Sequence, residues 1–133
     1  MIIETLSVNQ VDQVWPLLAE RVKRCLAKVD ADCTAADLWT QCREGRAFLM
    51  VAHDGEIYGA VIWRFEHWLN GSVLKNIVTV GHDMRLWMDA MHDAGAELAR
   101  NGGATRLVWS GRKGWARRFP QARQHSITYT LEV

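Results

Sequence analysis

Three cysteines, Cys25, Cys33 and Cys42, are all the chain has in 133 residues, and no C-x-x-C spacing occurs among them. An odd count speaks against a closed disulfide framework and the spacing against a zinc site, so reduced, partly buried thiols are expected. Prolines number only two, Pro16 and Pro120. With no low-complexity stretch, repeat or linker, one domain over residues 1–133 is expected. Neither charge sign dominates: 16 Lys and Arg against 15 Asp and Glu leave a net +1, which gives no global pull towards nucleic acid or acidic membrane. No apolar run reaches the length of a bilayer span, and Met1-Ile2-Ile3-Glu4 lacks the basic start of a signal peptide. A cytoplasmic protein with no membrane partner is expected. His53 and His92 each lack a His, Cys or carboxylate at metal-ligand spacing, so no metal is expected.

What the chain does have is an ordinary globular balance, 49% hydrophobic and 23% charged, and one well-punctuated stretch from Val73 to Ser110. Val73–Val80 reads as a strand, Gly81-His82-Asp83 as a turn, Met84–Asn101 as a helix, Gly102-Gly103 as its stop and Thr105–Trp109 as a second strand. Met84, Trp87, Met88, Met91, Gly95 and Leu98 fall on one helical stripe, as in a helix packed on a sheet. Asp83 stands where a helix cap is expected, and His92 falls to the exposed side. Such a βαβ unit has parallel strands.

The flanks supply the other elements. Met1–Leu6 is a first strand, and Ser7 with Gln10 forms a capping box for a helix carrying Val11, Val14, Leu18, Val22, Cys25 and Leu26. Pro16 leaves that helix two starts, at Ser7 or near Trp15, where proline suits the first turn. Thr34 and Asp37 cap a short second helix that ends at Gly45. Ala47–Ala52 and Ile57–Phe65 are strands joined at Asp54-Gly55, and Asn70-Gly71 marks the next turn. A short helix from Arg112 to Phe119, stopped by Pro120, precedes a last alternating strand, Ile127–Val133. The expected order is β-α-α-β-β-β-α-β-α-β, a mixed α+β sheet within the α/β class.

That order resembles the GCN5-related N-acetyltransferase (GNAT) fold over essentially the whole chain, and Ala96–Trp109 looks like that family's third helix entering its fifth strand. Val14-Trp15-Pro16-Leu17-Leu18, Asp37-Leu38-Trp39 and Gly111-Arg112-Lys113-Gly114-Trp115 resemble small acetyltransferase-like proteins of tailed phages and prophages. The resemblance implies acetyl-CoA bound in a gap between strands four and five, its pyrophosphate on amides at the start of the third helix. It implies direct attack of an acceptor amine on the thioester, the carbonyl being held by backbone N–H groups around Ile77, Val78 and Val80. The cofactor turn then falls on Gly81, His82 and Arg85, the cleft wall on Ser110 and Trp115, and the base on Glu66 or His67. Where the family carries Arg/Gln-x-x-Gly-x-Gly/Ala, this chain has Val80-Gly81-His82-Asp83-Met84-Arg85, with a single glycine. Where the family often has a tyrosine on the fourth helix, Pro120 follows Phe119.

The resemblance admits a second class of function, a non-catalytic GNAT-fold protein serving as a virion component or a binder of a phage or host protein. Arg112, Lys113, Arg117, Arg118, Arg123 and His125 form a basic stretch without acids, suited to phosphates or a solvated face; nucleic acid is not the partner the overall charge favours. Seven tryptophans are many for this length. Trp63, Trp87 and Trp109 fit the core, whereas Trp15, Trp39 and Trp68 fit it less well. The apolar terminal strand is suited to pairing with a second copy, as a homodimer.

Overall fold

The computed structural model describes residues 1–29, 31–111 and 114–133. Arg112 and Lys113 of the basic stretch lie outside the described residues. The elements are β1 (Ile2–Thr5), α1 (Val8–Lys28), α2 (Ala35–Arg43), β2 (Phe48–His53), β3 (Ile57–Trp68), β4 (Gly71–Gly81), α3 (Met88–Asn101), β5 (Arg106–Trp109) and α4 (Trp115–Arg118). The five strands form one sheet in chain order, antiparallel except for the parallel pair β4–β5.

Alternation along β3 divides the core into two faces. Ala60 and Ile62 join Val11, Leu18, Val22 and Leu38 of α1 and α2 on one face; Val61 and Trp63 join Trp87, Met88 and Met91 around α3 on the other. Trp87, Met88 and Met91 are all but fully buried, and each contributes roughly 1.5–3 kcal/mol before entropy is counted. Two of the chain's tryptophans are seated by glycines: a Cβ on Gly59 would meet the Trp87 ring, and one on Gly95 would meet Trp63 at 2.5 Å.

The reciprocal Ser7–Gln10 bonds, 2.8 and 3.4 Å, start α1 at Val8. Pro16 is therefore inside the helix, on its exposed side, where water can reach the carbonyl that loses its N–H partner. β3 runs on to Trp68 and β4 begins at Gly71, so Glu66 and His67 are ladder residues opposite Val73 and Ser72 rather than part of a long turn.

Two expected elements differ. The long helix is split: Met84–Leu86 forms a 3₁₀ turn and α3 starts at Met88. The break falls at Trp87, whose φ of −138° lies outside the helical region, while Asp83 before the turn is left-handed at φ 52° and makes no cap bond. Ile127–Val133 forms no strand. Its alternation is right for one, but a strand without a ladder partner has nothing to hold it.

Candidate functional site

β5 ends at Trp109, opposite Asn76, while β4 continues to Gly81. From Ile77 onwards the outer edge of β4 has no neighbouring strand among the described residues. The change coincides with a bulge: Ile62 pairs with Val78 and Trp63 with Asn76, leaving Ile77 as the extra residue. A bulge turns and twists its strand, and the β4–β5 ladder stops at this point. Asn76 and Thr79 brace it through mutual side-chain hydrogen bonds of 2.8 and 3.1 Å. Val78 and Val80 are buried and Ile77 half-buried on the α1–α2 face, so these three present main chain to the gap and side chains to the core.

Gly81 ends the strand at φ 135°, and a Cβ there would meet the Tyr58 carbonyl oxygen; only glycine fits. The His82 N–H donates to that same oxygen at 2.9 Å, and its ring lies 5.1 Å from the Tyr58 ring. The Trp87 indole N–H donates to the His82 carbonyl at 2.9 Å, tying the turn to the core. The His82 Nδ1 is 3.0 Å from an Asp83 carboxylate oxygen. Asp83, Met84, Arg85 and Leu86 are all exposed. The turn thus offers free amides and Arg85 to an anion, while Asp83 sets a negative charge beside them.

Aromatic rings close the side of the gap between α3 and α4. The His92 ring stacks on Phe119 at 4.2 Å and meets Trp109 at 5.2 Å; Trp115 lies 5.8 Å from Phe119 and 5.9 Å from Trp109. Trp109 and Trp115 are half-exposed, with His92 and Phe119 buried behind them. His92 therefore does not face solvent. Its place was legible, since residues 88, 91, 92, 95 and 99 form the buried stripe of α3. Burial pushes its imidazole below the ordinary histidine value, and its Nε2 has no hydrogen-bond partner among the described residues. Ser110 is exposed just beyond β5.

Glu66 and His67, on β3 opposite Val73 and Ser72, lie roughly 13 and 16.5 Å along the strand direction from Ile77 at about 3.3 Å per residue. Burial pushes the Glu66 carboxyl up, but hydrogen bonds from Arg64 (3.0 Å) and Trp68 (3.2 Å) and the charges of Lys75 and Arg64 more than offset this and hold it below its usual value. His67 is exposed, 2.9 Å from the Ser72 hydroxyl. Ile77, Val78, Val80, Gly81, His82 and Arg85 follow one another along the end of β4 and its turn; Ser110 follows Trp109, which pairs with Asn76, Trp115 packs near Trp109, and Glu66 and His67 pair with Val73 and Ser72 nearer the start of β4.

Sequence reading missed an open polar groove of about 430 Å³ on the α1–α2 face, lined by Asp32, Cys33, Asp37, Thr40, Gln41, Arg46 and Arg64. Arg64 follows Ala60 and Ile62 in the alternation of β3, which was the available signal; it donates to Gln41 at 3.2 Å. Burial and the nearby Asp32 raise the Cys33 thiol. The end of α1 reaches β4 here, with Cys25 Sγ 3.9 Å from the Thr79 carbonyl oxygen. The basic stretch is partly neutralised: Arg118 pairs with Asp89 at 2.9 Å and lies over Phe119. Trp15, Trp39 and Trp68 are half-buried; Trp39 donates to Asp12 at 3.2 Å, and Trp68 lies under Arg106 and against His125. Among the described residues no cluster of three or more His, Cys, Asp or Glu suits a metal, and no helix is long and apolar enough to cross a membrane.

No family model matches the chain, and no curated protein matches it in sequence. Its architecture is similar to that of solved acetyltransferases over their full lengths. A ribosomal-protein-alanine N-acetyltransferase from Brucella melitensis superposes at TM-score 0.70 and 17% identity, covering 100% of both chains. An aminoglycoside acetyltransferase from a soil metagenome gives 0.72 and 15%, covering 99% of this chain and 97% of that one. A predicted acetyltransferase from Clostridium acetobutylicum, solved with acetyl-CoA, gives 0.69 and 10%, covering 99% and 94%. The fold is that of the GNAT acetyltransferases.

Proposed function

We propose that this protein is a divergent acyl-CoA-dependent N-acetyltransferase of the phage and prophage type, transferring an acetyl group from acetyl-CoA to an amine. The observation that carries the reading is the bulge at Ile77, where β4 parts from β5 and leaves a row of main-chain groups without a strand partner. A thioester carbonyl in that gap accepts hydrogen bonds from amides of Ile77–Val80 that need no reorganisation. The pyrophosphate rests on the turn from Gly81 to Arg85, with His82 held against Tyr58 and the Arg85 guanidinium offsetting Asp83. Ser110 and Trp115 wall the cofactor. The acceptor comes from the α1–α2 face through the groove lined by Asp32, Asp37, Arg46 and Arg64, where the Asp32 carboxylate suits an ammonium group and Asp37 holds its own helix start.

In this reading the amine attacks the carbonyl carbon, the carbon–sulfur bond breaks and CoA leaves as thiolate. With Glu66 committed to Arg64, Trp68 and Lys75, the amine's proton passes to water. With Pro120 after Phe119, the thiolate is protonated from solvent. The phage-type assignment draws on Val14–Leu18, Asp37–Trp39 and Gly111–Trp115.

The second reading is a GNAT-fold binder of a phage or host protein that performs no chemistry. It is favoured by the His92–Phe119–Trp115 stack against the gap and by the carboxylate of Asp83 at the anion turn. Thermal unfolding with acetyl-CoA separates the two. At 100 times its dissociation constant the cofactor adds about 2.7 kcal/mol of stability, and Gly81→Val removes the effect. An unchanged melting temperature at millimolar acetyl-CoA overturns the enzyme reading.

A further inference from the structure

The charges around the groove on the α1–α2 face are unevenly paired, and those left over set the sign of what it can hold. Arg64, on its wall, donates to Gln41 at 3.2 Å and to Glu66 at 3.0 Å. Lys75 is the ladder partner of Arg64 on β4 and turns to the same face, its Nζ 4.0 Å from the same Glu66 oxygen. That is too far for a hydrogen bond. Among the described residues the ammonium has no acceptor, and one carboxylate answers two cations. The acids lining the groove do not make up the difference. Asp37 accepts the Thr34 N–H at 2.9 Å at the start of its own helix, and Arg46 is paired with Glu44. Asp32 remains, exposed. Cys33 shows that these charges meet at one place: burial raises its thiol, Asp32 raises it further, and Arg64 and Lys75 pull it down.

We propose, resting on the transferase reading, that the acceptor is a small amine that also carries a carboxylate or a phosphate, its anion held by Lys75 with Arg64 behind it. Lys75 lies opposite Val108, one step before the β4–β5 ladder ends. It stands two residues before Ile77, about 7 Å along the strand, a distance that an amine and an anion on one small molecule span. The anion then makes the charge-assisted hydrogen bond that Glu66 leaves unmade. The amino group, drawn in past Asp32, passes to the gap. A polyamine meets Lys75 and Arg64 with charge of the same sign and is rejected.

Two measurements on the full chain test this. In the first, CoA release from acetyl-CoA is followed with γ-aminobutyrate and phosphoethanolamine as anionic acceptors, and with ethanolamine and putrescine as neutral and cationic ones. The anionic pair should show kcat/KM at least about tenfold higher, the scale of one hydrogen bond to a charged group, and the faster of the two tells carboxylate from phosphate. Lys75→Met removes that preference through KM, Lys75→Arg restores it, and neither alters the thermal shift with acetyl-CoA. The second measurement needs no acetyl transfer: alkylation of Cys33 in a Cys25→Ser background is timed with each amine, with and without CoA. The anionic amines should slow it, by covering the groove and cancelling the pull of Lys75 on the thiol, and Lys75→Met should abolish the protection. Acetyl transfer without preference, with Cys33 unprotected, overturns the proposal and leaves the enzyme. A preference that survives Lys75→Met overturns it too. Protection that depends on Lys75, without any acetyl-CoA shift, supports the anion site and removes the transferase reading instead.

Discussion

His92 is a titratable ring in the wrong solvent. It is buried among Trp63, Trp109, Trp115 and Phe119, its Nε2 has no partner among the described residues, and burial outweighs the opposing pull of Asp89 and Asp93 to leave its proton affinity low. The consequence for stability has a definite sign. Above the unfolded value, near 6.5, both states are neutral and the residue is neutral towards pH. As the pH falls through 6.5 towards the lower folded value, the unfolded chain takes up a proton that the folded ring refuses, and stability drops by up to about 1.4 kcal/mol per pH unit. His92→Phe keeps the stack and abolishes the titration. Urea unfolding at pH 7 should find the variant within about 1.5 kcal/mol of the parent. At pH 5 the parent alone should show a loss of stability that comes from His92. Parallel pH profiles for the two proteins would mean that His92 is not held neutral by the fold.

Among the elements, the turn from Gly81 to Leu86 is the one on which the proposed cofactor binding depends. A left-handed Asp83 and a 3₁₀ turn stand where an α-helix would present its first amides, and the carboxylate lies within 3.0 Å of His82. Asn tolerates the same backbone without the charge. Asp83→Asn should therefore keep the turn and tighten acetyl-CoA by about two- to fivefold at low salt, the 0.3–1 kcal/mol of a charge at a helix start, measured by titration calorimetry. Unchanged affinity would show that the anion does not rest on this turn. The hairpins and capping boxes were legible because Asp54-Gly55, Asn70-Gly71, Ser7–Gln10 and Thr34–Asp37 each set local geometry through their own chemistry. The split of the long helix was not, since Trp87 continues the apolar stripe and only the fold takes its backbone out of the helix. Nor was the failure of the last strand, for alternation describes a strand's faces and is silent about its partner. The strand before Gly81 and the turn at it were read from order and spacing; the bulge at Ile77 and the groove around Arg64 were not, because register and the meeting of α2 with β3 are set only by the fold.

At the scale of the molecule, two hydrophobic clusters on opposite faces of one sheet raise the question of whether they unfold together. β3 answers it in its alternation, with Ala60 and Ile62 held by α1 and α2 and Val61 and Trp63 held by α3. Loss of either helical layer exposes one full face of the central strands, so one cooperative transition is expected. Cys42 is a probe for the α1–α2 face: it is 4% exposed, and burial pushes its thiol up to about 11, so it reacts with disulfide reagents only when that face opens. In a Cys25→Ser, Cys33→Ser background, Met91→Ala on the far face should cost about 2–5 kcal/mol. If opening is global, that cost appears in full at Cys42, whose labelling accelerates at least about 30-fold. Leu38→Ala, beside Cys42 on its own face, should then accelerate labelling in the same proportion to its own loss of stability. Should Met91→Ala lower the urea midpoint and leave Cys42 labelling untouched, the two faces open separately. The parting of β4 from β5 would then depend on the α3 layer alone, because Trp87 ties the turn and His92 backs the aromatic wall from that side of the sheet.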